Sequence, residues 1–499
     1  MVDLGGKWSD HRWATARNAA AAFCLCACAG CTQGPDYERP VVAVPTTYRF
    51  NDAVPMSSAQ PETAGWWRAF GDKVLEDLVR ECLANNRDLR IATARVDEFA
   101  AVLAGTRSQA FPQVGYGLSA SRQRASERGS VPFPAAGDPV SSSFSAVLSA
   151  SWEIDLWGRI RRETEAARAN LLASEEARRG VVLTLVASVI VGYITLLDLD
   201  SRLETAQATV AGRTESVKIF RMRREGGAVS DYEMSLVVAE YESAVAAVPE
   251  LKRAIAQQED ALSILLGRNP GPIKRGQDLH GLRTPTVPVG LPADLLTRRP
   301  DVLQAEQQLI ASNALIGAAR ALFFPRISLT GVGGFASAAL ENLFTGPART
   351  WSFVGEIAGP LFTGGGLTAA TDQAVARREQ ALAAYELTVQ NAFRDVEDSL
   401  VAVQTSRDAE ESLARRVEAL ERAVILARYR YDNGYADYLD VLDTERSLFS
   451  AQLSLAAARG DNYRALANVY RALGGDWIDP ATGMSATGAM ADGPTEQRP

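Results

Sequence analysis

The chain has 499 residues, 47% hydrophobic and 22% charged, enough apolar side chain to bury a sizeable core and to build two to four domains. Its formal net charge of -8 argues against a nucleic-acid binder, because phosphate contacts need clustered Lys and Arg. Two His and five Cys, four of the Cys crowded into one N-terminal stretch, make a His-based metal site or a disulfide framework improbable, and no HExxH, P-loop or GxSxG motif is present, so no metal, cofactor or catalysis is expected.

Residues 1–30 carry Lys7, Arg12 and Arg17, then an Ala-rich apolar run from Ala19 to Ala29, then Ala29-Gly30 before Cys31. This is the pattern of a secretory leader. Its Cys28-Ala29-Gly30-Cys31 end resembles the lipobox of bacterial lipoproteins, in which the residue after the cut receives the acyl chains; Cys28 stands where that motif usually has Leu. Cys31 is therefore the expected lipidation site, and an ordinary signal peptide cut nearby is the alternative. The apolar run is too short to span a membrane, which takes roughly 20 residues. Residues 31–65 are rich in Pro up to Pro61 and read as an extended tether. A folded region opens at Trp66-Trp67.

Strand patterns come next. From Ser143 to Ile154, Phe144, Ala146, Leu148, Ala150, Trp152 and Ile154 alternate with mostly Ser, a two-residue period over about the ten residues of a membrane β-strand. Val114-Tyr116-Leu118 and Trp351-Phe353 follow the same rhythm. Each alone fits a half-buried strand of a soluble protein; four in matching places favour a barrel. Val181 to Leu197 is uncharged and is readable as a short transmembrane helix, although Thr184, Ser188 and Thr195 favour a buried coiled-coil face. The stretch from Gly366 to Asp432 has no internal Gly or Pro, so it predicts a single helix of about 100 Å. Phe393, Val396, Leu400 and Val403, then Leu413, Val417 and Leu420, recur in steps of three and four, which is coiled-coil spacing.

The chain also repeats itself. Phe111-Pro112 recurs as Phe324-Pro325, Gly226-Gly227 as Asn433-Gly434, and Leu266-Gly267 as Leu473-Gly474, always about 210 residues apart. The expected organisation is a leader (1–30), a tether (31–65), a first repeat of helix, two strands and a long helical hairpin (66–267), a linker with an equatorial segment (268–300), a second repeat (301–475) and a disordered tail (476–499). Ser230 with Glu233 three residues on fits a capping box, and Asp437 is placed to cap the matching helix.

Gly34-Pro-Asp-Tyr37-x-Arg-Pro40, Trp66-Trp67, Leu291-Pro-Ala-Asp-Leu-Leu-Thr-Arg-Arg-Pro-Asp301 and Asn433-Gly434 followed by Tyr438-Leu-Asp-Val-Leu-Asp443 resemble the TolC-like outer-membrane factors. The nearest likeness is to the lipoprotein members of the OprM and NodT group, which serve RND-type efflux pumps. The resemblance implies a homotrimer. Four strands per protomer would form one 12-stranded outer-membrane β-barrel, continued by a periplasmic α-helical coiled-coil barrel. It implies an exit duct in the outer membrane, lipid-anchored and reaching into the periplasm, that passively conducts drugs or other small molecules when docked to a periplasmic adaptor and an inner-membrane pump. The alternative is a lipid-anchored coiled-coil scaffold or adaptor without a pore. By the same resemblance the two turns are the periplasmic mouth. Gly226, Gly227 and Ser230 in the first, with Gly434, Tyr435 and Ala436 in the second, would dock the adaptor. Leu439, Asp440, Asp443, Glu233 and Tyr431 would form the gate, the aspartates as a ring around the axis. Ala436 stands where some members carry a basic residue, so an Arg to acid lock is not expected there.

Overall fold

A computed structural model of the chain describes residues 32–50, 65–126, 138–285 and 292–475. The leader, Cys31, Leu291 and the tail from 476 lie outside the described residues. Asp72 starts α1 (Lys73–Asn85), its carboxylate accepting from the backbone N–H groups of Val74 and Leu75 at 2.7 and 3.3 Å. Asn86 then ends that helix and caps α2 (Arg87–Ser108) by accepting from the Leu89 N–H. β1 (Gln113–Arg124), β2 (Val140–Ile154), α3 (Arg159–Glu225) and α4 (Asp231–Leu265) follow. After the short α5 (Leu295–Arg298) the series recurs as α6 (Pro300–Ala321), β3 (Arg326–Ser337), β4 (Arg349–Ala358), α7 (Gly366–Asp432) and α8 (Tyr438–Ala472). The lengths match: α3 and α7 have 67 residues each, α4 and α8 have 35.

Among the described residues, 32–41, 96–126, 138–173 and 305–385 make one compact unit. Its strands pair antiparallel in the order β1-β2-β3-β4, so both β1 and β4 are open edges within the chain. One lateral row runs Tyr116, Leu148, Gly333, Trp351, and the next runs Gly117, Val147, Gly334, Thr350. Because successive side chains point to opposite faces, the first row shares a face with Val114, Leu118, Trp152, Phe353 and Ile357, and the second with Ser119, Ser145 and Ser149. The sheet is therefore apolar on one face and lined by Ser, Gly and Thr on the other, where the Ser119 and Ser145 hydroxyls meet at 2.8 Å. Apart from Phe344, which packs on Phe335, the apolar face is bare among the described residues: Tyr116 is 82% exposed, Trp351 75% and Phe353 79%. A soluble half-buried strand would not leave that face bare. Gly334 is required by the pairing itself, since a Cβ there would lie 2.2 Å from the Ala146 carbonyl oxygen.

Below the strands α3 and α6 pack through Ala166, Ala169, Ala311 and Ala314, small enough to bring two backbones close. The extended segment from Gln33 to Arg39 is clamped onto these helices. Arg162, itself buried, donates to Asp36 at 2.8 Å and to the Gln33 carbonyl at 3.1 Å. Tyr37 and Arg39 both donate to Glu306, at 3.1 and 2.8 Å.

Residues 42–50, 65–95, 174–285, 292–304 and 386–475 make the other unit. The apolar stretch of α3 forms its centre: Val189, Ile190, Tyr193, Ile194 and Leu196 are wholly buried among Leu75, Val79, Leu262, Leu466 and Val469. The spanning alternative for Val181 to Leu197 is therefore replaced by a core helix. Val396, Leu400 and Val403 of α7 enter the same core in the expected spacing. Buried Asp72 is fully engaged, accepting also from the Tyr193 hydroxyl at 2.9 Å and the Gln277 N–H at 3.0 Å. Arg299 binds Asp301 at 2.6 Å, Asp395 at 3.1 Å and the Ala472 carbonyl at 2.9 Å. Pro249, which has no N–H to give the helix ladder, lies inside α4. Ala244 and Leu251, on either side of it, are buried.

Candidate functional site: the two helical turns

Both long hairpins reverse in the same way. The Gly227 N–H donates to Arg224 and the Ala228 N–H to Arg223; the Gly434 N–H donates to Tyr431 and the Tyr435 N–H to Arg430. This is the Schellman closure, which needs a left-handed residue. Gly227 and Gly434 supply it with φ of 76° and 74°. A Cβ on either would meet nothing within 4 Å, so the requirement is conformational and the turns are open on their outer side. Gly226 precedes the first reversal, and Tyr435 is exposed beyond the second.

The helices that follow start differently. Ser230 caps α4 in a complete box: its hydroxyl accepts from the Glu233 N–H at 3.2 Å, while Glu233 accepts from the Ser230 N–H and hydroxyl at 2.9 and 2.8 Å. These bonds hold the Glu233 carboxyl below its ordinary range. Asp437 occupies the same place before α8 with extended backbone, but its side chain makes no capping bond, which corrects the expectation that it caps.

Four helix ends meet here. Phe220, Met234, Val237, Ala427, Tyr438, Val441 and Leu442 form a small core of their own. Phe220 lies 4.1 Å from the Tyr438 ring centre, and Tyr431 packs against both. Burial, with the nearby Glu445 charge adding to it, pushes the Tyr438 phenol up to about 12. Arg223 donates to the Tyr431 hydroxyl at 3.3 Å and lies 5.8 Å from the ring centres of Phe220 and Tyr431. Arg223 and Phe220 were not singled out in the sequence, and Tyr438 entered only as one residue of a motif. The repeat carries the signal, because Arg223 and Tyr431 are 208 residues apart, one more than the distance between the two turn glycines.

On the first turns of α8, Leu439 is 55% exposed and Asp440 and Asp443 are exposed on the same side, three residues apart. Arg446, one turn on, pairs with Asp443. The two aspartates therefore differ: Asp443 has a cation beside it, while Asp440 sits at a helix N-terminus whose dipole favours its charge. Glu233, placed with the gate by resemblance, is drawn into the cap of α4. Ala436 brings no basic side chain to the turn.

Residues 78–268 and 291–475 match the family of outer membrane efflux proteins. Over 481 residues the chain is 36% identical to the probable efflux pump outer membrane protein TtgC of Pseudomonas putida, covering 95% of this chain and 98% of that protein. Its fold is similar to the outer-membrane channel OprN, with a TM-score of 0.83, 31% identity and coverage of 90% of this chain and 100% of that one. It is also similar to the open state of the MtrE outer membrane channel of Neisseria gonorrhoeae, with a TM-score of 0.79, 33% identity and coverage of 89% and 98%.

Proposed function

We infer the working arrangement from one premise: the chain belongs to the outer membrane efflux protein family, and it is an outer-membrane channel through which molecules leave the cell. Its four strands join those of two further copies in a 12-stranded barrel. The observation that carries this is the sheet, with a bare apolar face, a Ser-lined face and an unpaired strand at each edge. Lipid cannot hydrogen-bond an open edge, so the sheet must close on copies of itself. Two copies would make eight strands, whose interior side chains just fill; three are the fewest that leave a conduit. The apolar face then meets lipid and the Ser face lines water.

The channel is passive, conducting drugs or other small molecules that an RND-type inner-membrane pump delivers. A periplasmic adaptor docks on the open turns at Gly226, Gly227 and Ser230 and at Gly434, Tyr435 and Ala436. Leu439, Asp440, Asp443 and Tyr431 close the mouth at rest, with Glu233 at its edge. Cys31 carries the lipid anchor. The test is single-channel conductance of the purified protein in a planar bilayer, with the size of the detergent-resistant oligomer measured alongside. Discrete conductance from a trimer is the expected outcome; an assembled protein that conducts nothing even with Leu439, Asp440 and Asp443 all replaced by Ala would overturn the duct and leave a scaffold.

A further inference from the structure

The strands end in arginine at the edge of the sheet farthest from the helices. β1 finishes on Arg122 and Arg124, and β4 begins on Arg349. Alternation puts all three on the apolar face, in line with Tyr116, Leu118 and Trp351, and all three are exposed. Within one chain the arginines are split, two on one edge of the sheet and one on the other.

The internal repeat says where they go when the barrel closes. β1 pairs with β2 as Gln113 with Ser151, and β3 with β4 as Arg326 with Ala358, so these positions correspond. Carrying the β2–β3 pair Ile154 with Ile327 over by the same correspondence sets Leu361 opposite Val114 across the seam between copies. Trp351 then faces Arg124, Phe353 faces Arg122 and Ile357 faces Leu118, apolar side with apolar side throughout. A slip of two residues would set Arg349 against Arg124 and keep the group together. Neighbouring strands are about 4.8 Å apart and same-face residues about 6.8 Å, so three guanidinium groups gather around one indole.

We propose that each seam between copies forms, from Arg122 and Arg124 of one chain and Arg349 and Trp351 of the next, a site for the phosphates of the phosphorylated glycolipid in the outer leaflet of the outer membrane. The site is continuous with the lipid-facing surface and lies at the end of the barrel opposite the helices. Arginine forks bind phosphate oxygens in pairs, and an interfacial Trp rests beside a lipid headgroup. The site exists only in the closed assembly and so rests on the trimeric barrel proposed above.

The experiment is native mass spectrometry of the detergent-solubilised full-length protein with lipid A, with dephosphorylated lipid A, and with lipid A in competition with millimolar inorganic phosphate. The trimer should hold lipid A at least about tenfold more tightly than the dephosphorylated lipid. Arg122→Gln/Arg124→Gln/Arg349→Gln should reduce lipid A binding to the dephosphorylated level while leaving trimer mass and conductance unchanged. Arg349→Gln alone, the milder variant, should give an intermediate loss of about three- to fivefold. Equal retention by wild type and both variants would overturn the site. So would displacement of lipid A by inorganic phosphate, which would make it a site for free anions. A wild-type protein that stays monomeric would instead overturn the barrel, and the site with it.

Discussion

The two hairpins are the same scaffold with different use of charge. Helix lengths agree, both turns close on a left-handed Gly, and both run into an extended N-cap residue. In the first hairpin the acid of the opening turn, Glu233, is spent on the cap. In the second, Asp437 leaves the cap unmade and Asp440 stays exposed beside Leu439. The position that is Asp231 in the first, paired on the surface with Arg224, is Tyr438 in the second, buried against Phe220. The duplicated scaffold thus assigns closure of the backbone to one copy, and aromatic anchoring with free charge to the other.

Exchanging the burial at the matched pair should give the largest effect. Tyr438→Ala empties the aromatic core where four helix ends meet and should cost about 3–5 kcal/mol. Asp231→Ala removes only a surface ion pair and should change stability by no more than about 0.5 kcal/mol. Urea unfolding of the detergent-solubilised protein, followed by far-UV circular dichroism, measures both. Equal losses would mean that the two hairpins carry their aromatic and ionic contacts equivalently.

A smaller effect separates the two caps. Ser230→Ala should cost about 1 kcal/mol at pH 7, and Asp437→Ala close to nothing. The carboxyl of Glu233 is held low in the folded protein, so its contribution is fully present above the ordinary Glu value of about 4.3 and is lost as pH falls through the depressed folded value. Its exposure to water keeps the ionic part of that contribution small. Unfolding curves for wild type and Glu233→Gln should therefore draw together in acid, and curves that stay apart there would mean that the difference does not come from the charge of the Glu233 carboxylate.

Much of this was legible in the residues. α7 runs from Gly366 to Asp432, as the Gly-free and Pro-free stretch predicts, because nothing local interrupts it until the turn demands a Gly. β2 contains the Ser143–Ile154 alternation because one face meets lipid and the other water. The Ser230 box is a local pattern and forms locally. What could not be read depends on rotamers and on distant partners. Asp437 is a good cap by type, yet its side chain makes no capping bond. The pairing of Asp443 with Arg446 was available at a spacing of three, but only side-chain geometry tells it from two solvated charges. The link from Arg223 to Tyr431 joins opposite halves of the chain and is visible only after the repeat has been aligned. Asp72 is burdened with a buried charge that makes sense only once Tyr193 and Gln277 have been brought to it.

The mouth offers the finest comparison, between two aspartates on one helix face. If Leu439, Asp440 and Asp443 line a closed constriction, Asp440→Ala removes a carboxylate that lacks the Arg446 partner Asp443 has, and cation over anion selectivity should fall. A unit charge about 4 Å from a passing ion in water is worth about 1 kcal/mol, so the permeability ratio should drop by up to about fivefold. Asp443→Ala removes the partner of Arg446 as well as a charge, and that unmatched cation should carry selectivity further toward anions. Leu439→Ala widens the apolar step and should raise conductance with selectivity nearly intact. These signatures in single-channel recordings separate an electrostatic gate from a steric one. Replacing both aspartates in a correctly assembled trimer with no change in either quantity would mean that they merely face solvent, and the gate would then have to lie with the aromatic group of Tyr431 and Tyr438.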